Sequence, residues 1–358
     1  MDLQYLFVGL TGIVNRYVYL LTMPVKDLES TRYIYLVDSK CCFPVFFGIY
    51  TYIMSNVTFD EIESIDDFQK ARLKSAKPEI KRFFQKLKKR VFKKRELSSI
   101  FSENGKSWRI PSDMTVSSIT KFLLEEMELK EVDIASTYDF KDKRFVWEGA
   151  SVYEVAASLR KNAYLSHGSA VFLHGLNDQI PHTVYINYEQ SAKPQPGGEL
   201  TQTGIDRAFA NHQRKSNLSF FYEDFEITVI NGKQTGRLEV IETEYQNSIL
   251  PVTNVERTLI DITVRPAYAG GVFQVFEAFK TAKEMVSVNV LLATLKKLKY
   301  VYPYHQAVGF YMEKAGYPEK QWARLLAMGT EYNFYLAHHL PKKRNYDEKW
   351  RLYYPEGF

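Results

Sequence analysis

The apolar positions that follow residue 77 recur every three or four residues, which is the spacing of an amphipathic helix. Pro78 followed by Glu79 predicts that this helix begins near Lys77. Its apolar face would consist of Ile80, Phe83, Phe84, Leu87 and Val91. Lysines occupy most of the other positions, so the helix is expected to bury one face and to present positive charge on the other.

Two shorter helices are predicted next. Residues 95–101 have helical spacing, and Gly105 interrupts the chain behind them. A third helix would be capped by Ser112 or Asp113 and would extend to Met127. Its polar face carries small side chains and one cation, which could approach base edges and phosphates without steric conflict. These residues are Thr115, Ser117, Ser118 and Lys121.

The alternating runs 129–134 and 143–147 predict a β-hairpin with its turn over residues 137–142. Three short helices followed by a hairpin describe a winged helix-turn-helix over residues 77–148. In such a domain the third helix enters the major groove, and the hairpin contacts the DNA backbone or the minor groove. The cations of this hairpin would be Lys141, Lys143 and Arg144. Winged helices also serve as protein-interaction modules, so that alternative stays open.

Positive charge is concentrated in the same segment. The 358 residues carry 47 Lys and Arg against 42 Asp and Glu, a net charge of +5. Between Lys77 and Arg109, however, twelve Lys and Arg accompany only three acids, so this segment carries +9 and the rest of the chain carries −4. This distribution is typical of a nucleic-acid-binding module, although a solvated helix face would give the same count. Phosphate contacts are expected from Lys88, Lys89, Arg90, Lys93, Lys94, Arg95 and Arg109.

The chain after Gly149 and Ala150 alternates between helical and strand patterns, which predicts a larger mixed α/β domain over residues 151–358. Capping boxes at 151–154 and 253–256 predict two helix starts. Asn231-Gly232 indicates a hairpin between runs 225–230 and 237–243. Arg257 and Asp261, four residues apart, should pair on a helix surface. With a lead-in at 54–76 and the winged helix at 77–148, the expected fold class is α+β.

Residues 1–53 differ from the rest by their dense aromatics and by the adjacent pair Cys41 and Cys42. The apolar run 3–14 is shorter than the roughly 20 residues that a spanning helix needs. Three interpretations compete: a weak membrane anchor, a small ordered extension, and a start assigned too early. Ordinary soluble composition begins after Met54, which favours Met54 as the true start. Two cysteines also argue against a disulfide-stapled secreted domain, so a cytoplasmic protein without membrane association is expected.

Candidate catalytic chemistry is sparse in the 151–358 segment. His167 and His174 are seven residues apart with His182 nearby, but no carboxylate or cysteine has the spacing of a metal site, which favours hydrogen-bonded core histidines. The sequence contains no Gly-x-Ser-x-Gly, no phosphate-binding loop and no His-Glu-x-x-His. The acids of 239–244 lack the following lysine of a magnesium-dependent nuclease. We therefore expect no enzymatic activity, no metal and no other cofactor.

An ordered series of four motifs resembles the AbiEi family, the antitoxins of type IV toxin–antitoxin systems in phage-abortive-infection loci. The first combines Tyr-Leu-Ser-His-Gly-Ser-Ala at 164–170 with His-Gly-Leu-Asn-Asp-Gln-Ile-Pro at 174–181. The other three occupy residues 252–261, 265–272 and 302–311. Residues 95–97 and 108–111 also fit the family's winged helix. The resemblance covers about residues 77–358 and does not include 1–53.

This resemblance implies an N-terminal winged helix that binds inverted repeats of double-stranded DNA in the protein's own promoter. It also implies a C-terminal domain that counters a nucleotidyltransferase toxin without forming a stable complex with it. The family offers no enzymatic residues to transfer. The expected function is thus that of a transcriptional autorepressor and antitoxin in phage defence. Two alternatives stay open, a nuclease-like DNA-interacting enzyme with a degenerate site and a defence-gene regulator without a cognate toxin.

Overall fold

A computed structural model describes residues 18–19, 35–36, 65–110, 114–179, 181–192 and 198–358. The chain divides into two compact units, Met1–Glu61 and Ile62–Phe358. In the first unit, strands β1 (Val18–Tyr19) and β2 (Tyr35–Leu36) pair antiparallel. Met54, and all but four of the residues that precede it, lie outside the described residues, so the interpretations of this segment stay predictions.

The first elements of the second unit follow the order helix, strand, two helices, two strands. They are α1 (Ile65–Lys86), β3 (Val91–Phe92), α2 (Lys94–Asn104), α3 (Val116–Glu126), β4 (Leu129–Ser136) and β5 (Lys141–Trp147). Strand β5 pairs antiparallel with both β3 and β4. The helices enclose a core of their own, in which the Phe84 and Trp147 rings stack with centroids 4.6 Å apart.

Three predictions in this region were wrong. The sequence predicts Val91 on the apolar face of the first helix, but α1 ends at Lys86, and Val91 begins β3, where it pairs with Val146 of β5. Helix α1 begins at Ile65 and passes through Pro78, because buried Leu73 and Ala76 extend the apolar face of Ile80 toward the N-terminus. This burial outweighs the hydrogen bond that proline cannot make. The cap of α3 is Thr115 rather than Ser112 or Asp113, which lie outside the described residues.

The remaining chain adds eight α-helices and nine strands to the described residues. The helices are α4 (Val152–Ser158), α5 (His167–Leu173), α6 (Gln202–Ala210), α7 (Val255–Val264), α8 (Val272–Thr281), α9 (Val288–Leu298), α10 (Tyr304–Lys314) and α11 (Glu319–Leu326). The strands are β6 (Tyr164–Leu165), β7 (Thr183–Glu189), β8 (Ser219–Tyr222), β9 (Phe225–Gly232), β10 (Val240–Tyr245), β11 (Ser248–Thr253), β12 (Phe334–Tyr335), β13 (Arg344–Asp347) and β14 (Leu352–Pro355).

Of the two capping boxes and the hairpin predicted in this part, only the capping box at 151–154 was right. Ser151 caps α4, since its Oγ accepts a hydrogen bond from the Glu154 amide at 3.3 Å. Helix α7 is capped by Asn254, one residue later than predicted. Strand β9 continues through Asn231-Gly232, and β10 pairs with β11 instead of β9, so the predicted hairpin does not form.

A nine-stranded sheet of order β10-β11-β6-β7-β9-β8-β4-β5-β3 contains strands from residues 91–147 and from residues 164–253. The connection is antiparallel pairing of β4 with β8, where Ala135 faces Phe221 and Ser136 faces Phe220. The sheet curls around α4, which contacts β3, β7 and β11. At its open side the Ile249 amide donates to the Lys88 carbonyl at 3.2 Å. The fold is α+β, as predicted.

A second core lies among helices α7 to α10 and the three-stranded sheet β12-β14-β13. Its largest fully buried side chain is Trp350, which packs directly against Gly309 of α10. A Cβ atom at Gly309 would lie 2.1 Å from the indole ring, so this position excludes any side chain. The indole N–H donates to Glu313 Oε2 at 2.5 Å. The motif at 302–311 therefore has a packing role at Gly309.

Candidate nucleic-acid interface

Lys88 and Lys89 lie between α1 and α2 and form exposed ion pairs. Lys88 Nζ is 3.2 Å from Glu244 of β10, and Lys89 Nζ is 2.6 Å from Glu96 of α2. All four side chains are at least 43% exposed, and such surface pairs contribute little, about 0–1 kcal/mol. Both ammonium groups therefore remain available to exchange their carboxylate for a phosphate.

Arg90 has a structural position instead. Its guanidinium donates to the Gly149 carbonyl at 2.6 Å, and its amide donates to Glu154 Oε1 at 3.0 Å. Gly149 has a φ of 78°, and a Cβ there would come within 3.0 Å of the guanidinium. These bonds tie the start of β3 to the start of α4, so Arg90 contributes to the fold at the point where the sequence predicted a phosphate contact.

The start of α2 carries three exposed cations in consecutive positions. Lys93, Lys94 and Arg95 make no ion pair within the described residues. Glu96 orders this turn because its carboxylate accepts from the Lys93 amide at 2.8 Å and from Lys89. Partial burial opposes ionisation of Glu96, but these hydrogen bonds outweigh it and lower the pKa of the carboxyl. Together with the positive end of the helix dipole, the three cations form an anion-attracting surface.

Helix α3 presents a neutral polar N-terminal end and an acidic C-terminal end. Thr115 Oγ1 accepts from the Ser118 amide at 3.1 Å, and Ser117 is exposed beside them. Lys121 is exposed and lies 3.7 Å from Glu125. Further acids follow, and Glu126 pairs with α1. Only the N-terminal half of α3 can therefore approach a polyanion without repulsion.

Arg109 lies in the α2–α3 connection, before the polar end of α3. It is exposed and has a φ of 55°, which is rare for an arginine. Its side chain makes no hydrogen bond or ion pair with the part of the chain that the structure describes. Arg109 thus adds a cation without an ion pair in the described chain to the connection that precedes α3.

The β4–β5 hairpin carries two exposed cations without an ion pair in the described chain, which are Lys130 on β4 and Lys141 at the start of β5. Lys143 pairs with Glu131 at 2.7 Å and with Asp133 at 3.9 Å across the strands, and its hydrogen bond to Glu131 raises the pKa of the Lys143 ammonium. The hairpin turn is fixed to β8, because the Thr137 amide donates to the Ser219 carbonyl at 2.9 Å.

Arg144 does not belong to this surface. Its side chain is 1% exposed and forms a forked ion pair with Asp142. The guanidinium also donates to the Ser158 carbonyl and hydroxyl, both at 3.0 Å, and to the Leu159 carbonyl at 3.4 Å. Every side of the group is occupied by protein, so the prediction that Arg144 contacts DNA conflicts with its burial.

The three histidines considered as metal ligands differ in burial and in hydrogen-bond partner. His167 is buried and bonds through Nδ1 to the Ser166 hydroxyl at 2.9 Å, and His174 Nε2 bonds to the Thr253 carbonyl at 2.6 Å. His182 is exposed. Within the described ranges, no three His, Cys, Asp or Glu side chains are grouped to hold a metal ion.

Burial of His167 is expected to make stability pH-dependent. Burial and the nearby Arg265 and Arg257 guanidinium groups hold the pKa of His167 well below its ordinary value. The unfolded chain then binds a proton near pH 6.5 that the folded chain excludes, so stability falls as pH drops through that value, by up to about 1.4 kcal/mol per pH unit. His167→Asn, which tolerates the φ of 50°, should remove this part of the slope in urea titrations. His182→Asn is the matched control, and equal slopes for the two variants would contradict the assignment.

No family model matches the chain, and no curated protein matches it. Among solved structures, the RV2827C protein from Mycobacterium tuberculosis is similar, with 15% sequence identity and a TM-score of 0.47. The match covers 79% of this chain and 89% of that one. No helix among the described residues is long and apolar enough to cross a membrane. The interface is therefore interpreted from its own geometry.

Proposed function

We propose that residues 65–147 form a winged helix-turn-helix that binds double-stranded DNA. The element order α1-β3-α2-α3-β4-β5, with β5 paired to both β3 and β4, supports this assignment. In that architecture the helix that precedes the hairpin enters the major groove with its N-terminal residues against the bases. Here this helix is α3, whose N-terminal end is polar and uncharged.

The distribution of unpaired cations is the observation that carries the proposal. Among the exposed cations of residues 65–147 that make no ion pair in the described chain, five lie at the start of α2, in the turn before α3 and at the start of β5. They are Lys93, Lys94, Arg95, Arg109 and Lys141. We assign phosphate contacts to them, with Lys88, Lys89 and Lys143 as exchangeable partners. Thr115, Ser117 and Ser118 lie on the uncharged N-terminal end of α3 that would face bases, and Lys121 follows about one turn further along the helix.

We further propose that the chain is a cytoplasmic autorepressor and an antitoxin against a nucleotidyltransferase toxin. The motifs that resemble the AbiEi family support this part. Their buried members, such as His167 and Gly309, have clear packing roles, which suits an antitoxin body without catalytic residues or cofactors. The operator would be inverted repeats in the protein's own promoter.

Separate assays of repression and rescue test this function. A reporter behind the protein's own promoter should be repressed by the chain, and growth arrested by a co-expressed nucleotidyltransferase toxin should be restored. The triple variant K93A/K94A/R95A should lose repression and keep rescue, because it alters only the start of α2. Repression that survives in this variant would contradict the DNA assignment, and absence of rescue by the unmodified chain would contradict the antitoxin assignment.

A further inference from the structure

A large groove in the 151–358 segment has four cations and no acid among its described lining residues. Its volume is about 1010 Å³, and its described walls include Arg214, Lys233, Arg265 and Lys299 but no Asp or Glu. An adjoining cleft of about 470 Å³ shares His212, Gln213 and His338 with the groove, adds Lys215, and is likewise free of carboxylates in its described lining. A concave surface of one sign focuses the electrostatic field, which raises the local concentration of an anionic ligand.

The cations of the groove differ in their contacts and exposure. Lys233 Nζ donates to the Leu298 and Lys299 carbonyls at 2.9 and 3.1 Å, so it caps α9 and fixes one wall. Arg265 is half-buried, with its guanidinium 5.9 Å above the Tyr268 ring. Arg214 and Lys215 are exposed and make no ion pair within the described residues. The last two are therefore free to bind an anion without losing an internal partner.

Aromatic and amide side chains line the same groove. Tyr300, Tyr302 and Tyr304 form a contiguous cluster, with the Tyr302 and Tyr304 ring centroids 6.3 Å apart. Tyr302 is half-buried, so part of its ring is open to the groove. Amides from Asn211 and Gln234 lie in the wall as well. Rings of this kind stack on bases, and amides can bond to base edges.

We propose that this groove binds a single-stranded nucleic-acid segment. Cations that track phosphates beside rings that stack on bases are the combination that recognises single strands. A volume of about 1010 Å³ is at the upper limit of sites for small ligands, about 300–1,000 Å³, and the cleft extends it further, which suits a strand of several nucleotides better than one nucleotide. This site shares no residue with the α2 and α3 surface and does not depend on the function proposed for that surface.

The test measures binding of fluorescein-labelled eight-nucleotide single strands, both RNA and DNA, to the full chain by anisotropy across a salt series. R214A/K215A should weaken binding and reduce the salt slope by about 1.4, since each phosphate contact to a single strand contributes about 0.7. K342A/K343A removes the same charge from exposed positions and should leave binding unchanged. K93A/K94A/R95A should also leave it unchanged, because those cations belong to the duplex surface.

Tyr302→Leu provides an independent arm, since it removes a ring without changing charge. It should weaken single-strand binding while the salt slope stays the same, and its melting temperature shows whether it is folded. The proposal is overturned if R214A/K215A and K342A/K343A bind equally, or if K93A/K94A/R95A alone abolishes binding. In competition experiments, ATP and an unlabelled eight-nucleotide strand are each added against the labelled strand. If ATP displaces the labelled strand completely at a concentration at which the unlabelled strand does not, the groove binds a free nucleotide, and the proposal is overturned.

Discussion

Replacing Lys93, Lys94 and Arg95 together by alanine is expected to reduce the salt slope of operator binding by about 2.7, because each lost phosphate contact removes about 0.9. A fourfold rise in salt would then weaken the variant about forty times less than the unmodified chain. The physical reason is that three exposed cations at the start of α2 form no ion pair in the described chain, so binding of DNA to them would release counterions. The slope is measured by titrating a duplex of the promoter repeats at several salt concentrations.

A matched control separates local contacts from total charge. K320A/K342A/K343A also removes three exposed cations that make no ion pair within the described residues, but from other parts of the chain. Its salt slope should equal that of the unmodified chain. Equal slopes for the two triple variants and the unmodified chain would show that the start of α2 is not a DNA contact. Equal reductions in both would show that only overall charge matters.

Local sequence signals identified the elements of the N-terminal region well, since their patterns depend on near neighbours. The hairpin and the two short helices were each predicted within a few residues of their positions. Pro78 misled the start of α1, because its effect was outweighed by burial of Leu73, which is a tertiary contact. Thr115 was assigned to the exposed face although it is the cap, because several polar residues in sequence could cap the same helix.

Partners that are distant in sequence were beyond reach of pattern analysis. Lys88 pairs with Glu244 across 156 residues, and β4 pairs with β8 across more than eighty. Arg257 and Asp261 were expected on a helix surface, yet both are 6% exposed because α7 packs against other helices on nearly all sides. The groove of residues 151–358 also depends on contacts between distant residues, since its walls come from the ends of β9, α6, α7 and α9. Its members become a site only when the chain folds.

Arg144 was also predicted wrongly because its partners Ser158 and Leu159 are distant in sequence. Its replacement tests whether Arg144 stabilises the fold instead of contacting DNA. Arg144→Ala is expected to lower the free energy of unfolding by about 3 kcal/mol, because the Ser158 and Leu159 carbonyls lose their donor and a cavity remains. Breaking a buried ion pair costs about 3–5 kcal/mol, and the loss expected here is near the lower value because the Asp142 side chain is 30% exposed and can bind water. Chemical denaturation of the full chain measures this change.

The exposed neighbour Lys141 provides the opposite pattern and thus a control on the same strand. Lys141→Ala should change the free energy of unfolding by less than about 0.5 kcal/mol while it reduces the salt slope of operator binding by about 0.9. Arg144→Lys keeps the charge but cannot donate to all the acceptors that surround the guanidinium, so it should lose stability and keep the full salt slope at temperatures where it is folded. A reduced slope with unchanged stability in Arg144→Lys would instead place this side chain on the DNA, because only an exposed group exchanges its partner for a phosphate.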